Sequence, residues 1–169
     1  SVLIIGCGFV GTKLGLELVE KGHKVYGVKR NIEMLPKEIL GISCDITNKK
    51  HLHYLPKSVD YVVYCPTPDQ FSEESYRRVY VGGLKNIIEQ ISVKHTFVFV
   101  SSTSVYGQCD GSWVDESSVT EPKHFPGVVM LEAEQLLQNS FANSFCLRPP
   151  FSFFKQENQK KITKKLCQN

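Results

Sequence analysis

Residues 6–11 read GCGFVG, and the glycines Gly6, Gly8 and Gly11 stand at GxGxxG spacing directly after the apolar run VLII at 2–5. This spacing serves the close approach of a main chain to a pyrophosphate. The first glycine permits a tight turn, the second lets the backbone touch the phosphates, and the third lets the next helix pack on the strand. With Phe9 and Val10 opening that helix, its first turn offers free N–H groups and a partial positive charge to an anion. The alternative is a glycine-rich strand-to-helix turn that holds no ligand. The flanking strand, the helix and a second strand at the right distance favour the dinucleotide reading.

A second chemical signal follows about 20 residues later. An acidic residue there would meet the ribose hydroxyls of NAD, but this chain has Lys29 and Arg30. An acid would repel a 2′-phosphate, whereas a guanidinium can grip it with two parallel hydrogen bonds. The expectation is NADP as the favoured cofactor, with NAD possible. A pair of exposed basic residues at a strand end is the competing explanation.

The third signal is SSTSVYG at 101–107, which follows the apolar run TFVFV. Small hydroxyl residues at the end of a buried strand can hydrogen-bond a ligand or simply turn the chain.

Positioning these groups requires a regular frame. Apolar runs at 2–5, 23–28, 41–46, 59–65, 96–102 and 143–148 read as six short strands. Between them, Val10, Leu14, Leu18 and Val19 recur at helical spacing, and a short weak helix is expected around Ile32–Leu35, ending at Pro36. Residues 72–91 form the longest helix candidate, with an acidic first turn that suits the macrodipole. Its Gly82-Gly83 pair costs about 2 kcal/mol against alanine, a cost that close packing can offset. A strong helix is expected over 128–137. Strands alternating with helices predict an α/β fold, a Rossmann-type doubly wound parallel sheet with helices on both faces. The polar loop over 103–125 is long, as functional or mobile loops are.

With these residues in place, the chain resembles the short-chain dehydrogenase/reductase superfamily, in particular its extended and atypical epimerase/dehydratase members. The matching stretches are GCGFVG (6–11), CDIT (44–47), VDYVVYCPTP (59–68), YVGGLKNIIE (80–89), VSSTSVYG (100–107) and LEAEQLL (131–137). DGSWVDESSVTEP (110–122) looks like the loop of a bacterial subgroup of sugar-epimerase-like proteins. The resemblance implies an oxidoreductase or nucleotide-sugar epimerase-type activity on a small polar or sugar-like substrate. It also implies Asp45 and Ile46 beside adenine, Cys65 and Pro66 beside a cofactor ribose, and Ser102 as the catalytic hydroxyl.

In that family a Tyr exchanges the proton, and a Lys one helical turn later lowers the Tyr pKa. Here the Tyr position is Pro126 and the Lys position is Met130. Neither can move a proton, so general acid/base catalysis worth roughly 10²–10⁴-fold is missing. Tyr106, Asp115, Glu116 and His124 are the candidate substitutes, His124 foremost near neutral pH. The readings left open are an enzyme rescued by such a group, a non-catalytic NADP-binding module or redox-responsive partner, and a remnant that binds no cofactor. The resemblance also leads one to expect a substrate domain after the sixth strand, which this chain would have truncated or absent.

Composition bounds the rest. With 41% apolar and 22% charged residues, the chain reads as an ordinary globular protein, residues 1–150 forming one domain. The net charge of +3 concentrates in a basic C-terminal tail, 151–169, where Lys155, Lys160, Lys161, Lys164 and Lys165 face only Glu157. A near-neutral body argues against a nucleic-acid partner. No apolar run reaches the roughly 18 residues that span a bilayer, so no membrane partner is expected. The six cysteines show no CxxC and no zinc spacing. They are expected as reduced thiols in a cytoplasm. Trp113 is expected to anchor its loop by packing. His51 and His53 are expected at the surface. A homodimer is possible through Ile87, Ile88 and Ile91 on one helix and Val129, Leu136 and Leu137 on another, although these positions equally suit packing on the sheet.

Overall fold

The computed structural model describes residues 1–108 and 110–150. The basic tail assigned to 151–169, Cys109 and Cys167 lie outside the described residues. Six strands form one sheet: β1 (Val2–Ile5), β2 (Val25–Lys29), β3 (Leu40–Ser43), β4 (Ser58–Tyr64), β5 (Ser92–Val100) and β6 (Ser144–Leu147). Every pairing is parallel, and the spatial order is β3-β2-β1-β4-β5-β6. The chain reverses its direction of travel between β1 and β4. In such sheets a crevice opens beyond the carboxyl ends of the strands at that point. The doubly wound parallel sheet expected from the sequence is therefore present.

Burial explains the strand sequences. All four residues of β1 are buried, as a strand covered on both faces requires. One face packs Val2, Ile4, Val25 and Ile39 against α1 (Phe9–Glu20). The other carries the larger core, where Tyr64, Phe97, Phe99, Leu84, Ile87, Val129 and Leu137 meet. Ile87, Ile91, Val129 and Leu137 are thus turned onto the sheet of their own chain. At the β6 edge, Phe145 and Leu147 are more than half exposed.

Several boundaries differ from expectation, each for a physical reason. Ile32–Leu35 form no helix. Asn31 Oδ1 captures the Glu33 N–H at 2.9 Å, and the chain runs on through successive turns. A four-residue helix cannot offset its nucleation cost against such local side-chain bonding. Strand β5 begins at Ser92, four residues earlier than expected, because Ser92 and Val93 pair with Ser58 and Val59.

The long helix over 72–91 is observed as one helical run in three parts: α2 (Glu73–Tyr76), a π-helical segment (Arg77–Gly83) and α3 (Leu84–Gln90). Ser72 caps its start by accepting the Ser75 N–H. In the π segment the Val79 carbonyl accepts the buried Tyr64 hydroxyl at 2.6 Å. The glycine pair is explained at Gly83, where an added Cβ would lie 2.7 Å from the Tyr64 oxygen. The last helix, α4 (Phe125–Ser140), starts three residues earlier than expected. Pro126 sits in its first turn, where a missing N–H costs nothing.

Candidate functional site

The glycine turn is tied to its neighbours before any ligand is considered. The N–H groups of Gly6 and Cys7 both donate to the Val28 carbonyl at 3.0 Å, which joins the turn to the end of β2. Gly6 has φ +87°, and an added Cβ there would lie 2.4 Å from the Pro66 backbone. Gly11 is likewise closed, with the Gly6 carbonyl 2.9 Å from its virtual Cβ. Gly8 is different: its virtual Cβ meets nothing nearer than 4.0 Å. It stands at the N-cap of α1, whose first turn has no side-chain cap and no acidic residue. The first N–H groups of that helix have no carbonyl four residues back. They face a cleft of about 1250 Å3.

The sequence-selected residues converge on this cleft. Gly6, Gly8, Phe9, Val10, Lys29, Arg30, Asp45, Ile46, Cys65, Pro66 and Ser102 all line it, while Gly11 lies beneath the turn. The carboxylate of Asp45 works against partial burial. The Thr47 N–H and hydroxyl, both donating to it, and the charge of Arg30 hold its pKa below the ordinary value. The Ile46 carbonyl accepts from Asn86 Nδ2 at 3.0 Å, which clamps this loop to α3. Burial pushes the Cys65 thiol up to about 12, with the neighbouring Cys7 adding to it, so this thiol stays protonated. Among the described residues, Cys7, Cys44, Cys65 and Cys146 form no disulfide, and no group of acidic, His or Cys side chains could hold a metal.

Ser102 reaches the cleft in a constrained role. Its hydroxyl accepts the Ser104 N–H at 3.1 Å and caps a 3-10 turn at Thr103–Val105, leaving its own hydrogen free to donate. Ser101, one residue earlier, is buried and donates to Glu134 at 2.5 Å. Glu134 is 1% exposed and also receives Nε and Nη2 of Arg148 at 3.0 and 2.7 Å. Both serines border the cleft, but the Ser101 hydroxyl is committed to Glu134 while that of Ser102 keeps a free hydrogen.

The cleft wall at α4 is apolar. Pro126 and Met130 line the cleft, and Met130 is buried. None of Tyr106, Asp115, Glu116 and His124 lines it. The Tyr106 hydroxyl donates to the Asp115 carbonyl at 2.7 Å and accepts from Arg148 at 3.0 Å. The Asp115 carboxylate accepts from Ser117 and Ser118, and His124 is exposed at the N-cap of α4. Trp113 corrects an expectation: it is fully exposed and packs on nothing.

Other cleft residues escaped the sequence reading. Tyr76 and Tyr80 line it from the helical run, and burial pushes both phenols above their ordinary pKa. That direction opposes proton release. Phe71 joins them, its ring tilted against Phe125 at 5.0 Å and edge to face with Tyr76 at 5.7 Å. Asp69 forms a two-pronged pair with Arg30. No sequence motif marks these contacts, because each pairs residues from different elements. The i,i+4 spacing of Tyr76 and Tyr80 on a helix was the one available signal.

A parallel sheet in this order, with a glycine turn at its switch point, defines an α/β fold of the nucleotide-binding type. Residues 2–141 match the NAD dependent epimerase/dehydratase family, and the chain belongs to that family. A protein of Methylobacillus flagellatus described as an NAD-dependent epimerase/dehydratase is similar at 34% identity and TM-score 0.72, over 88% of this chain and 53% of that one. MoeE5, solved with UDP-glucose and NAD, is similar at 28% identity and TM-score 0.71, over 88% of this chain and 53% of its own. UDP-glucose 4-epimerase of Thermus thermophilus, solved with NAD, shares the fold at 22% identity and TM-score 0.71, over 87% and 54% of the two chains. The chain thus spans about half the length of these structures. No curated protein is a significant match to the chain. Among the described residues no helix is long and apolar enough to cross a membrane.

Proposed function

We propose that this chain binds a nicotinamide dinucleotide along the cleft, NADP in preference to NAD, and that it does so without completing the family's proton relay. The observation that carries the reading is Gly8. It is the one glycine of the turn whose missing side chain leaves open space, and that space lies against unpaired helix N–H groups. Gly6, Gly8, Phe9, Val10 and Gly11 would hold the pyrophosphate, and Lys29 and Arg30 the 2′-phosphate. Asp45 and Ile46 would flank adenine, with Cys65 and Pro66 beside the ribose. Ser102 would donate its free hydrogen toward the nicotinamide end. The structures of similar proteins with NAD support the cofactor class, and the one with UDP-glucose supports a small polar or sugar-like second ligand.

A bound nicotinamide would supply hydride chemistry. This chain's contribution would be to orient the cofactor and hydrogen-bond a ligand oxygen through Ser102. Pro126 and Met130 hold no proton, and Tyr76 and Tyr80 hold theirs too firmly. The non-catalytic, redox-responsive binding module is therefore the favoured form of the proposal. The family match and Ser102 in the cleft wall favour an enzyme. The cysteines among the described residues are unpaired, which suits a reducing, cytoplasmic setting.

Thermal stability titrated with NADPH, NADH and their oxidised forms tests the first half. A binder gains about 2.7 kcal/mol at one hundred times its dissociation constant. Single-turnover oxidation of bound NADPH over a panel of carbonyl compounds tests the second. Stabilisation without turnover is expected. Turnover would restore the enzyme reading, and no shift with any dinucleotide would leave a remnant fold.

A further inference from the structure

Arg30 leaves the end of β2, and Asp69 sits in the loop after β4. The two are 39 residues apart and meet fork to fork across the cleft wall. Nη1 donates to one carboxylate oxygen at 2.6 Å and Nη2 to the other at 2.5 Å. This is the face of the guanidinium that would grip a phosphate, since both recognitions use two parallel N–H groups. From this geometry we propose that Asp69 determines how far the cleft discriminates between NADP and NAD, by occupying Arg30 until a 2′-phosphate displaces it. The inference rests on the dinucleotide reading above.

The surroundings make the displacement workable. The Arg30 backbone is anchored, because its carbonyl accepts the Ser43 hydroxyl at 2.7 Å, so only the side chain needs to move. The pair is exposed, with side-chain accessibilities of 60% and 44%, and exposed ion pairs are weak enough to be exchanged. Arg78 also lines the cleft, and its charge acts on Asp69, giving the released carboxylate a second cation.

The two cofactors meet Asp69 differently. A 2′-phosphate competes with its carboxylate for Arg30 and is repelled by it at short range. A 2′-hydroxyl competes for nothing and can donate a hydrogen bond to a carboxylate. Asp69 therefore handicaps NADP and spares NAD. Arg30 read alone implies strong NADP selectivity; Arg30 paired with Asp69 implies a damped one.

The test is fluorescence titration of NADPH and NADH, at one fixed low salt concentration, against the parent chain, D69N, R30M and the double variant. D69N is expected to tighten NADPH binding about tenfold while NADH changes by less than about threefold. In the R30M background the D69N gain should shrink, because only the repulsion remains to be relieved. An NADPH/NADH affinity ratio that D69N leaves unchanged would overturn the role of Asp69 and leave the dinucleotide reading standing. A parent chain that binds neither nucleotide would overturn both. Since Asp69 is exposed, unaltered melting temperatures should accompany the affinity changes.

Discussion

Replacing Gly8 and Gly6 by alanine, one at a time, separates the glycine that serves a ligand from the one that serves the fold. At Gly8 the backbone has φ −82°, and an added Cβ meets only the Gly6 carbonyl oxygen, at 4.0 Å. G8A should therefore fold without a steric clash. Its stability should stay within about 1 kcal/mol of the parent's. At Gly6, φ +87° costs an alanine about 1–2 kcal/mol. Its Cβ would also lie 2.4 Å from the Pro66 backbone, which belongs to a cleft wall and cannot swing aside as a side chain can. Together these give G6A a loss of roughly 3 kcal/mol or more.

Unfolding entropies of about 2.1 cal/mol/K per residue convert to ~0.3 kcal/mol per kelvin for a domain of this size. G8A should then melt within ~3 °C of the parent, and G6A ~10 °C or more lower. With NADPH at a hundred times its parent dissociation constant, the parent should rise by ~8 °C. G8A should not rise, since its methyl group fills the space against the helix N–H groups. Differential scanning fluorimetry with and without ligand reads all of this in one experiment. A ligand shift in G8A equal to the parent's would refute the placement of the phosphates. A G8A chain as unstable as G6A would refute the assignment of open space at that position.

Arg148→Met removes two donors from the 1%-exposed Glu134 and should cost about 3–5 kcal/mol, the usual penalty for stranding a buried charge. Urea denaturation measures it, and a loss below about 1 kcal/mol would show that the buried carboxylate is solvated by other means. Stability should also decline on the alkaline side. Burial pushes Cys44 up to about 11, and Cys65 and Cys146 up to about 12. The folded chain keeps protons that the unfolded chain gives up near 9, so this stability is complete below about pH 9 and is lost as pH rises toward 11–12. Denaturation midpoints measured from pH 8 to 11 check the slope, and C65A should flatten it.

The parts of the fold that were legible in the sequence are those with local causes. Buried parallel strands read as short apolar runs, so β1 and β4 were evident to within a residue or so. The glycine turn was evident because close backbone approach leaves no choice of residue. Where the outcome depended on a distant partner, the reading failed. The N-terminal part of β5 has an exposed, polar pattern and is a strand because Ser58 and Val59 pair with it. The π segment exists where Tyr64, fifteen residues earlier, reaches the Val79 carbonyl. Trp113 resembles an anchor by its size alone, and the structure surrounds it with nothing.

The site divides along the same line. The sequence by itself determined that a glycine-rich turn precedes α1, that a hydroxyl follows β5, and that proline and methionine occupy positions 126 and 130. These are properties of residue type at a fixed position in the chain, and folding cannot alter what Pro126 or Met130 can donate. Only the tertiary structure decided which groups keep those residues company. It joined Arg30 to Asp69, committed Tyr106 to Asp115 and Arg148, and walled the cleft with Tyr76, Tyr80 and Phe71. Charge pairing and burial are properties of three-dimensional neighbourhoods. They came into being when the parallel sheet brought the ends of β2, β4 and β5 to one crevice.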